Sequence, residues 1–576
     1  MYWFHILDLS LIYVILAISL NLILGYGGMA SMAHAAFFGL GGYIAALMSI
    51  HLGYNFLVGI VIGMLAAGII GGLIALPFIR IKEEYLILFT LAFQMVFFHL
   101  TMALYKVTGG DSGLVNIPRP ELFSLRFSNA LSYIPLLLAF AIVFFIICWR
   151  ITKSPFGRVL KGIREDEKVI LSLGKNVIKF KVLIFIIGTG IATAAGGLFA
   201  HYSIYVAPNI FNLDVSIILI VMVVLGGAAN LWGSVLGAFL LIIIPESLSF
   251  IPGTGEIIAP LRLCLFGSML ILFMRFRPEG LIPEYFFLKG RGSQKAFFKM
   301  IEGFKISETI STGAKGSGKI DYPHDKPILE TKNISKRFGG LQAVKDFSVS
   351  LKMGKITAIV GPNGCGKTTA FNMITGFLPP DEGKIYFQGE DITNRPAHQL
   401  PKRGLVRSWQ DVRIFQGMTV LDNVLVAEQN QSGEEILKIF LMPWKVRGEM
   451  NENLKKAMRY LNTVGLAEKA LEIAGNLSYA EQKLLAIARL LATEAQVVLL
   501  DEPSSGIDPT WVQKIITLIR KLADMGKTIC IVEHNLDVIR EISDSVYFVA
   551  GGTVIAEGRA EEIISDPKLG EIYFGM

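Results

Sequence analysis

Cysteine is rare in this sequence, which has four among 576 residues: Cys148, Cys264, Cys365 and Cys530. No pair has the short spacing of a metal-binding motif, and four widely separated thiols do not form the framework of a small disulfide-rich domain. We therefore expect free thiols in a reducing compartment. Basic residues are missing before the first apolar run, in MYWFHILDLS, so we do not expect a cleaved signal peptide.

Charged side chains are also few, at 18% of the sequence against 53% hydrophobic residues, and the mean hydropathy is +0.54. The long apolar runs are concentrated in the first half, and runs of about 20 residues are long enough to cross a bilayer. The first half is therefore predicted to be a multi-span all-α membrane domain. Its predicted spans lie near 10–27, 34–50, 57–79, 85–107, 131–149, 182–203, 214–229, 233–250 and 258–275.

The net charge of +7 is concentrated in one stretch between two of these spans. Nine basic residues occur from Arg150 to Lys181, opposed by Glu165, Asp166 and Glu167, whereas 108–130 is balanced. Excess Lys and Arg mark the cytoplasmic side of a membrane protein. This placement predicts a multi-pass protein of the cytoplasmic (inner) membrane, with 150–181 inside and 108–130 outside. It also argues against nucleic acid as the partner of the positive charge.

Apolar character stops after residue 288, which suggests a domain boundary. Residues 289–325 are rich in Gly, Ser and Lys and have weak periodicity, which is typical of a flexible linker. We predict a membrane domain over 1–288, a cytosolic linker over 289–325 and a soluble domain over 326–576.

The strongest motif lies in KITAIVGPNGCGKTT, where a short strand pattern precedes a helical one. The spacing of Gly361, Gly366, Lys367 and Thr368 is that of a P-loop, whose backbone N–H groups surround phosphates. Lys367 is expected at the β- and γ-phosphates of ATP, and the Thr368 hydroxyl on Mg²⁺. The alternative is a plain glycine turn. The predicted ATP-binding residues here are Gly361, Pro362, Asn363, Gly364, Cys365, Gly366, Lys367, Thr368 and Thr369.

The run VVLLDEP predicts a buried strand that ends in two carboxylates. Asp501 is a candidate Mg²⁺ ligand. Glu502 is placed to act as the general base that activates the attacking water. The alternative is an acidic pair that caps a helix after a core strand. Beside a P-loop, the sequence favours an ATP-hydrolysing site.

The stretch NLSYAEQKLLAIARLL resembles the LSGGQ signature of ABC ATPases. The resemblance implies that Ser478, Tyr479, Ala480 and Glu481 form the signature, which faces the γ-phosphate held by the opposite subunit. Tyr479 and Ala480 stand where that motif has glycines. The alternative is a plain helix cap.

Other residues fall in the order of the same family, an α/β P-loop NTPase fold. The resemblance implies that Gln410 is the Q-loop glutamine, which senses Mg²⁺, and that His534 is the switch histidine, which contacts the γ-phosphate. It implies that Phe338 stacks on adenine and that SSGID, at 504–508, is the D-loop. The catalytic pair is then Glu502 and His534, and the Mg²⁺ residues are Thr368, Gln410 and Asp501.

The charged stretch SPFGRVLKGIREDEK predicts a short amphipathic helix in the cytosol. Ser154 suits the N-cap and the following proline the first helical position. Phe156, Leu160 and Ile163 then share one face. The helix resembles the coupling helix of importer permeases, which implies that this face docks on the ATPase. The alternative is a solvated or headgroup-bound loop.

Both halves resemble one importer family. NLILGYGGMASMAHAAFFGLGGY, TGGDSGL and RFRPEGLIP resemble LivM-type permeases of branched-chain amino acid importers, and FGGLQAVKDFS and IVEHNLDVI resemble LivG-type ATPases. The resemblance implies a fused permease and ATPase that uses ATP and Mg²⁺ to import branched-chain or hydrophobic amino acids. Alternatives are a urea or short-amide importer and a membrane ATPase that does not import.

The resemblance also implies partners. These are a LivH-type permease and a LivF-type ATPase, or a second copy of this chain, together with an extracytoplasmic solute-binding protein and membrane lipid. Buried polar residues in the spans either line a solute path or join helices. They are Asn21, His34, Gln94, Asn209 and Asp214.

Overall fold

The computed structural model describes residues 2–75, 77, 83–122, 125–248, 264, 267–269, 271–273, 275–285 and 326–574. The chain forms two compact units. The membrane unit comprises Met1–Arg164, Val177–Ser293 and Gly433–Leu441. The ATPase unit comprises Glu165–Asn176, Gln294–Ser432 and Met442–Met576. The predicted linker, 289–325, lies outside the described residues, so its boundaries stay a prediction.

The described residues among the first 285 are mostly helical. Their helices are α1 (Tyr2–Asn21), α2 (His34–Leu52), α3 (Phe56–Ala75), α4 (Glu83–Ala103), α5 (Tyr105–Thr108), α6 (Ala130–Lys153), α7 (Pro155–Glu165), α8 (Glu167–Ser172), α9 (Val177–Ser203), α10 (Leu213–Gly226) and α11 (Leu231–Leu248). Short strands β1 (Leu114–Val115), β2 (Glu121–Leu122), β3 (Leu125–Arg126) and β4 (Tyr205–Val206) pair as β1 with β4 and β2 with β3.

Seven helices in the described part of the chain are long and apolar enough to cross a membrane, and α11 is a shorter apolar helix. They match eight of the spans predicted from the sequence, although the first begins at Tyr2 rather than near residue 10. A five-residue π-helical turn, Leu22–Tyr26, extends α1. The ninth predicted span, 258–275, lies largely outside the described residues.

Small residues bring α2 and α9 close together. A Cβ atom on Gly41 would lie 1.9 Å from the carbonyl oxygen of Thr193, so only glycine fits there. Small residues allow close backbone approach between membrane helices, where dispersion and hydrogen bonds replace the hydrophobic effect.

The polar residues inside the spans mostly join helices. The Asn21 side chain accepts a hydrogen bond from the Ala229 N–H at 2.9 Å and donates to the Ser234 hydroxyl at 2.6 Å. His34 pairs with Ser19 at 2.7 Å, and Gln94 donates to the Phe211 carbonyl oxygen at 2.7 Å. Asn209 donates to Asp111, and Asp214 accepts from Asn212. The contacts of Asn21, His34 and Gln94 favour a packing role over a solute path, whereas those of Asn209 and Asp214 are exposed.

The predicted amphipathic helix is present as α7. Its apolar residues Phe156, Leu160 and Ile163 are buried. They belong to the membrane unit, where the Phe156 ring lies 4.8 Å from that of Phe180. Helical periodicity reveals an apolar face but not the surface that covers it. The docking of this face on the ATPase stays a prediction, and the residues of the ATPase unit begin at Glu165.

Two sheets form the framework of the ATPase unit. A six-stranded sheet has the order β10-β11-β12-β7-β13-β14, parallel except for the last pair, and a four-stranded antiparallel sheet has the order β6-β5-β8-β9. The strands are β5 (Pro327–Phe338), β6 (Leu341–Lys352), β7 (Ile356–Val360), β8 (Glu382–Phe387), β9 (Glu390–Asp391), β10 (Leu405–Arg407), β11 (Val497–Asp501), β12 (Thr528–Val532), β13 (Ser545–Ala550) and β14 (Thr553–Gly558).

Strands β7, β11 and β12 are buried at every residue, as expected for parallel strands covered on both faces. The helices of the second half of the chain are α12 (Lys367–Ile374), α13 (Val420–Leu425), α14 (Ile436–Leu441), α15 (Pro443–Thr463), α16 (Tyr479–Ala492), α17 (Pro509–Asp524), α18 (Leu536–Ile542), α19 (Ala560–Ser565) and α20 (Pro567–Phe574). The carboxyl ends of β7, β11 and β12 carry the motifs predicted from the sequence.

Candidate active site

The P-loop connects β7 to α12. Gly366 is the N-cap residue of α12, and Lys367 and Thr368 form its first turn. The Lys367 side chain is 6% exposed, and its ammonium donates to the carbonyl oxygens of Gly361 at 2.8 Å and Pro362 at 2.9 Å. The N-terminus of α12, with its free N–H groups and helix dipole, therefore faces the loop that is expected to hold phosphate.

Three predicted residues meet at one carboxylate oxygen. Gln410 donates its side-chain N–H to Oε1 of Glu502 at 3.1 Å, and Nε2 of His534 lies 3.1 Å from the same oxygen. The Glu502 side chain is 15% exposed. A carboxylate held between an amide and an imidazole at the edge of a sheet is suited to accept a proton from water.

The backbone of Glu502 adopts a left-handed conformation, with φ of +47°. Such a conformation is costly for a residue other than glycine and persists where the surroundings enforce it. Lys483, on α16, supplies part of that support, because its ammonium donates to the carbonyl oxygens of Glu502, Pro503 and Ser505. Burial lowers the pKa of Lys483, opposed by the carboxylates of Glu533 and Glu502. The sequence analysis did not identify this lysine.

Asp501 ends β11 and forms a buried ion pair with Arg407, the last residue of β10. Nη2 of Arg407 lies 3.2 Å from Oδ2 of Asp501, and both side chains are 1% exposed. Burial raises the pKa of Asp501 to about 6, while the charge of Arg407 opposes that rise. The other oxygen, Oδ1, is buried and has no hydrogen-bond partner among the described residues. An orphaned carboxylate oxygen of this kind fits a Mg²⁺ ligand.

Arg407 joins three parts of the site. Besides Asp501, its guanidinium donates to Oδ1 of Asn372 on α12 at 2.6 Å. It also lies 4.3 Å from the ring centroid of Trp409. The sequence analysis missed Arg407 and Trp409, although both stand in VRSWQ beside Gln410. The available signal was an arginine two residues before a tryptophan, next to the predicted Q-loop glutamine.

The signature residues form the start of α16. Ser478 is its N-cap, and the Glu481 carboxylate accepts from the Ser478 N–H and hydroxyl at 3.0 Å, which completes a capping box. Tyr479 is 46% exposed and lies against Gly506 of the predicted D-loop, whereas Ala480 is 8% exposed. The helix cap that the alternative interpretation predicts is therefore present at Ser478. No hydrogen bond among the described residues joins the signature to the P-loop of the same chain.

The predicted adenine-stacking residue lies at the end of a strand. Phe338 closes β5 opposite Leu341, and its side chain is 49% exposed. The loop after it leads into β6, whose Ala343 carbonyl oxygen lies next to Gly366. The Phe338 ring is exposed, and its stacking on adenine stays a prediction.

A segment from the first half of the chain forms part of the ATPase unit. Within Glu165–Asn176, the Glu165 carboxylate accepts from the Gly417 N–H at 3.0 Å, and Asp166 pairs with Arg413 at 3.0 Å. Lys175 donates to the carbonyl oxygen of Glu428 at 2.5 Å. The sequence signal for these contacts is the group of acidic residues within a basic stretch, but charge pattern alone does not indicate their partners.

The same segment lines a small cavity of about 30 Å³ that also contacts predicted site residues. Ser172 and Leu173 line it on one side. The Q-loop, from Arg407 to Arg413, and the pair Asp501 and Glu502 line the rest. The segment and the carboxylates of Asp501 and Glu502 thus face the same space.

Comparison with known families agrees with this architecture. Residues 2–274 match the family described as the permease component of branched-chain amino acid transport systems. Residues 344–505 match the ABC transporter family. The first match falls mainly on the helices of the membrane unit. The second covers the P-loop, Gln410, the predicted signature and the pair Asp501 and Glu502, and it ends before His534.

Curated relatives resemble the second half. A probable branched-chain amino acid transport ATP-binding protein LivG of Archaeoglobus fulgidus is 40% identical over 248 residues, which are 43% of this chain and 95% of the relative. A protein of the same name from Methanocaldococcus jannaschii is 39% identical over 252 residues, 43% of this chain and 97% of the relative.

A solved structure, a nucleotide-free ATP-binding cassette from an ABC transporter, is 38% identical with a TM-score of 0.38, covering 43% of this chain and 100% of its own. The family matches and the identity to LivG proteins bear out the fold and the ATP-hydrolysing activity expected from the motifs. The chain therefore belongs to the ABC transporters, as a branched-chain amino acid-type permease fused to a LivG-type ATPase.

Proposed function

We propose that this chain is one half of an importer that takes up branched-chain or other hydrophobic amino acids at the cost of ATP. The observation that carries the proposal is the sharing of Oε1 of Glu502 by Gln410 and His534. A second observation comes from the same unit. Arg413, three residues after Gln410, pairs with Asp166 of the permease-derived segment. The family descriptions support amino acids as the solute.

The P-loop binds the phosphates of ATP in this proposal. Lys367 turns from the carbonyl oxygens of its own loop to the β- and γ-phosphates. Thr368, Gln410 and Asp501 hold Mg²⁺, which when bound neutralises phosphate charge. The buried Oδ1 of Asp501 supports this assignment, because an acceptor without a partner costs free energy unless a cation or donor reaches it.

Glu502 accepts the proton of the attacking water, and the bond from Gln410 fixes the carboxylate in place. His534, which lies 3.1 Å from the same carboxylate oxygen, contacts the γ-phosphate. The signature serine, Ser478, serves the nucleotide of a second ATPase domain, so a working site needs two cassettes. The partner is a LivF-type subunit with a LivH-type permease, or a second copy of this chain. A solute-binding protein delivers the amino acid from outside the cytoplasmic (inner) membrane.

Coupling runs through the Q-loop in this proposal. Gln410 contacts the hydrolytic carboxylate, while Arg413 and Gly417 contact Asp166 and Glu165. The segment 165–176 is continuous with α7 of the permease. A change at the γ-phosphate that moves the Q-loop is therefore transmitted to the membrane helices through these two acidic residues.

The test is uptake into vesicles that contain this chain with its permease and ATPase partners and a solute-binding protein. Labelled leucine should accumulate only with ATP and the binding protein, and Glu502→Gln should abolish accumulation. Uptake of urea or a short amide in place of leucine would assign the alternative solute. ATP hydrolysis that ignores every binding protein would overturn an importing role.

A further inference from the structure

A short insertion in the ATPase half of the chain belongs to the membrane unit. Residues Gly433–Leu441 group with the membrane helices, although Ser432 before them and Met442 after them are part of the ATPase unit. Helix α14 lies in this insertion and contacts α6 within the membrane unit. Because the flanking residues are cytosolic, the insertion reaches the cytosolic end of α6.

The outer face of this insertion is apolar. Leu437 is 74% exposed and Leu441 is 67% exposed, four residues apart on one face of α14. The chain then continues with Met442, 44% exposed, and Trp444, 73% exposed, whereas Ile439 is buried. Large apolar side chains concentrated in nine residues mark an interaction surface rather than ordinary solvent-exposed chain.

The end of α6 that α14 reaches has the features of a membrane interface. Its last turn carries Arg150 and Lys153, and Trp149 beside them is 48% exposed. Farther into the helix, Ile142 and Ile146 are each 50% exposed, as expected of residues that face lipid. Tryptophan and basic residues concentrate where acyl chains meet headgroups.

The charge around the insertion suits the cytosolic leaflet. Lys445 and Arg447 follow Trp444 directly and are exposed. The acidic neighbours are engaged, since Glu435 pairs with Lys438 at 2.8 Å and Glu449 accepts from Ser432. Basic side chains next to an apolar face are attracted to anionic phospholipid.

We propose that residues 436–444 are an interfacial anchor that inserts Leu437, Leu441 and Trp444 into the cytosolic leaflet beside α6. Its occupant is lipid at the boundary between headgroups and acyl chains, with Lys445 and Arg447 on anionic headgroups. The exposed apolar residues of α14 thus extend the exposed apolar surface of α6, although α14 lies in the second half of the sequence.

The test uses the full chain with its partner subunits in nanodiscs of phosphatidylethanolamine and phosphatidylglycerol. A benzophenone amino acid replaces Leu441 in one variant and Trp444 in a second. The matched control carries it at Ile555, an exposed apolar residue on β14 of the ATPase unit. After irradiation, mass spectrometry identifies the covalent partner. ATP hydrolysis verifies that each variant is folded.

Phospholipid adducts at 441 or 444, several-fold above those at 555, are the expected result. They should decrease when phosphatidylcholine replaces phosphatidylglycerol. Adducts to protein alone, or lipid adducts no more frequent than at 555, would overturn the anchor. Neither outcome depends on the transported solute, so the result is separable from that of the uptake experiment.

Discussion

The ammonium of Lys483 lies 3.1 Å from the carbonyl oxygen of Glu502. The bond joins α16, which begins with the predicted signature, to the strained residue that is proposed as the general base. Lys483 also donates to Pro503 and Ser505, so one buried cation holds the turn that follows β11. Lys483 is thus a positioning residue for Glu502.

Removing this cation should impair hydrolysis more than ATP binding. Hydrogen bonds to charged groups contribute about 1.5–3 kcal/mol, so Lys483→Met is expected to lower kcat by roughly 10- to 100-fold, with a small change in ATP affinity. Steady-state hydrolysis and binding of a fluorescent ATP analogue measure the two effects. Lys514→Met, an exposed lysine on α17, is the matched control. Equal losses of binding and turnover would contradict a positioning role.

Neutralising the hydrolytic carboxylate should separate binding from turnover. Glu502→Gln keeps the size of the side chain but removes the base, and general-base catalysis contributes about 10²- to 10⁴-fold. ATP hydrolysis should fall by that order while ATP binding persists, as read from radiolabelled nucleotide retained on the protein. Glu561→Gln, on the surface of α19, should hydrolyse ATP normally. Near-normal turnover in Glu502→Gln would remove Glu502 from the base role.

Breaking the buried ion pair should destabilise the ATPase unit. Arg407→Met removes the charge that opposes the rise in the pKa of the buried Asp501 carboxyl, and the loss of one member of a buried pair costs about 3–5 kcal/mol. Thermal unfolding should show a lower melting temperature, and adding Asp501→Asn in the same chain should restore part of it. Arg403→Met removes a partly exposed arginine and should change the melting temperature little. No recovery in the double variant would show that the arginine acts through its other contacts.

Reversing the charges between the permease-derived segment and the Q-loop should test coupling. Asp166→Arg places a second cation beside Arg413. The stimulation of ATP hydrolysis by the loaded binding protein should therefore be lost. The swap Asp166→Arg with Arg413→Asp should recover it. Lys332→Asp, in an exposed pair with Glu330, is the control. The pair itself is partly exposed and adds little stability. A swap that recovers nothing would argue against transmission through this pair.

A Cβ atom on Gly174 should disturb the same segment. Gly174 has φ of +84°, and the added atom would lie 2.9 Å from Oε1 of Gln429 and 3.1 Å from Cβ of Pro401. Gly354→Ala carries the same backbone penalty, about 1–2 kcal/mol, at φ of +70° with nothing within 4 Å. Gly174→Ala should therefore lower the melting temperature more than Gly354→Ala. Equal shifts would show that the contact with Gln429 has no energetic weight.

The sequence predicted the parts of the fold that depend on local pattern. Runs of about 20 apolar residues identified the membrane helices, and the P-loop spacing placed Lys367 at the start of α12. Motif order brought Gln410, Glu502 and His534 to one oxygen, because the carboxyl ends of parallel strands share one edge of the sheet.

Contacts between residues distant in sequence escaped prediction. Arg407 and Lys483 look like ordinary surface cations until the fold buries them beside Asp501 and Glu502. The period of α7 predicts an apolar face but not its partner, so the docking of Leu160 on the ATPase stays a prediction. Because Leu160 is fully buried, a test of docking by Leu160→Asp needs a measurement of folding beside it. No periodicity marked Glu165 and Asp166 as contacts of the Q-loop.

Each half of the sequence lends a short stretch to the compact unit built mainly by the other half. A chimera that joins a foreign cassette after the predicted linker would therefore keep the segment 165–176 of this permease. That segment would lack the cassette residues that it contacts in this chain. A successful exchange of cassettes between transporters of this kind must move that loop, and the insertion at 433–441, together with the parts they fit.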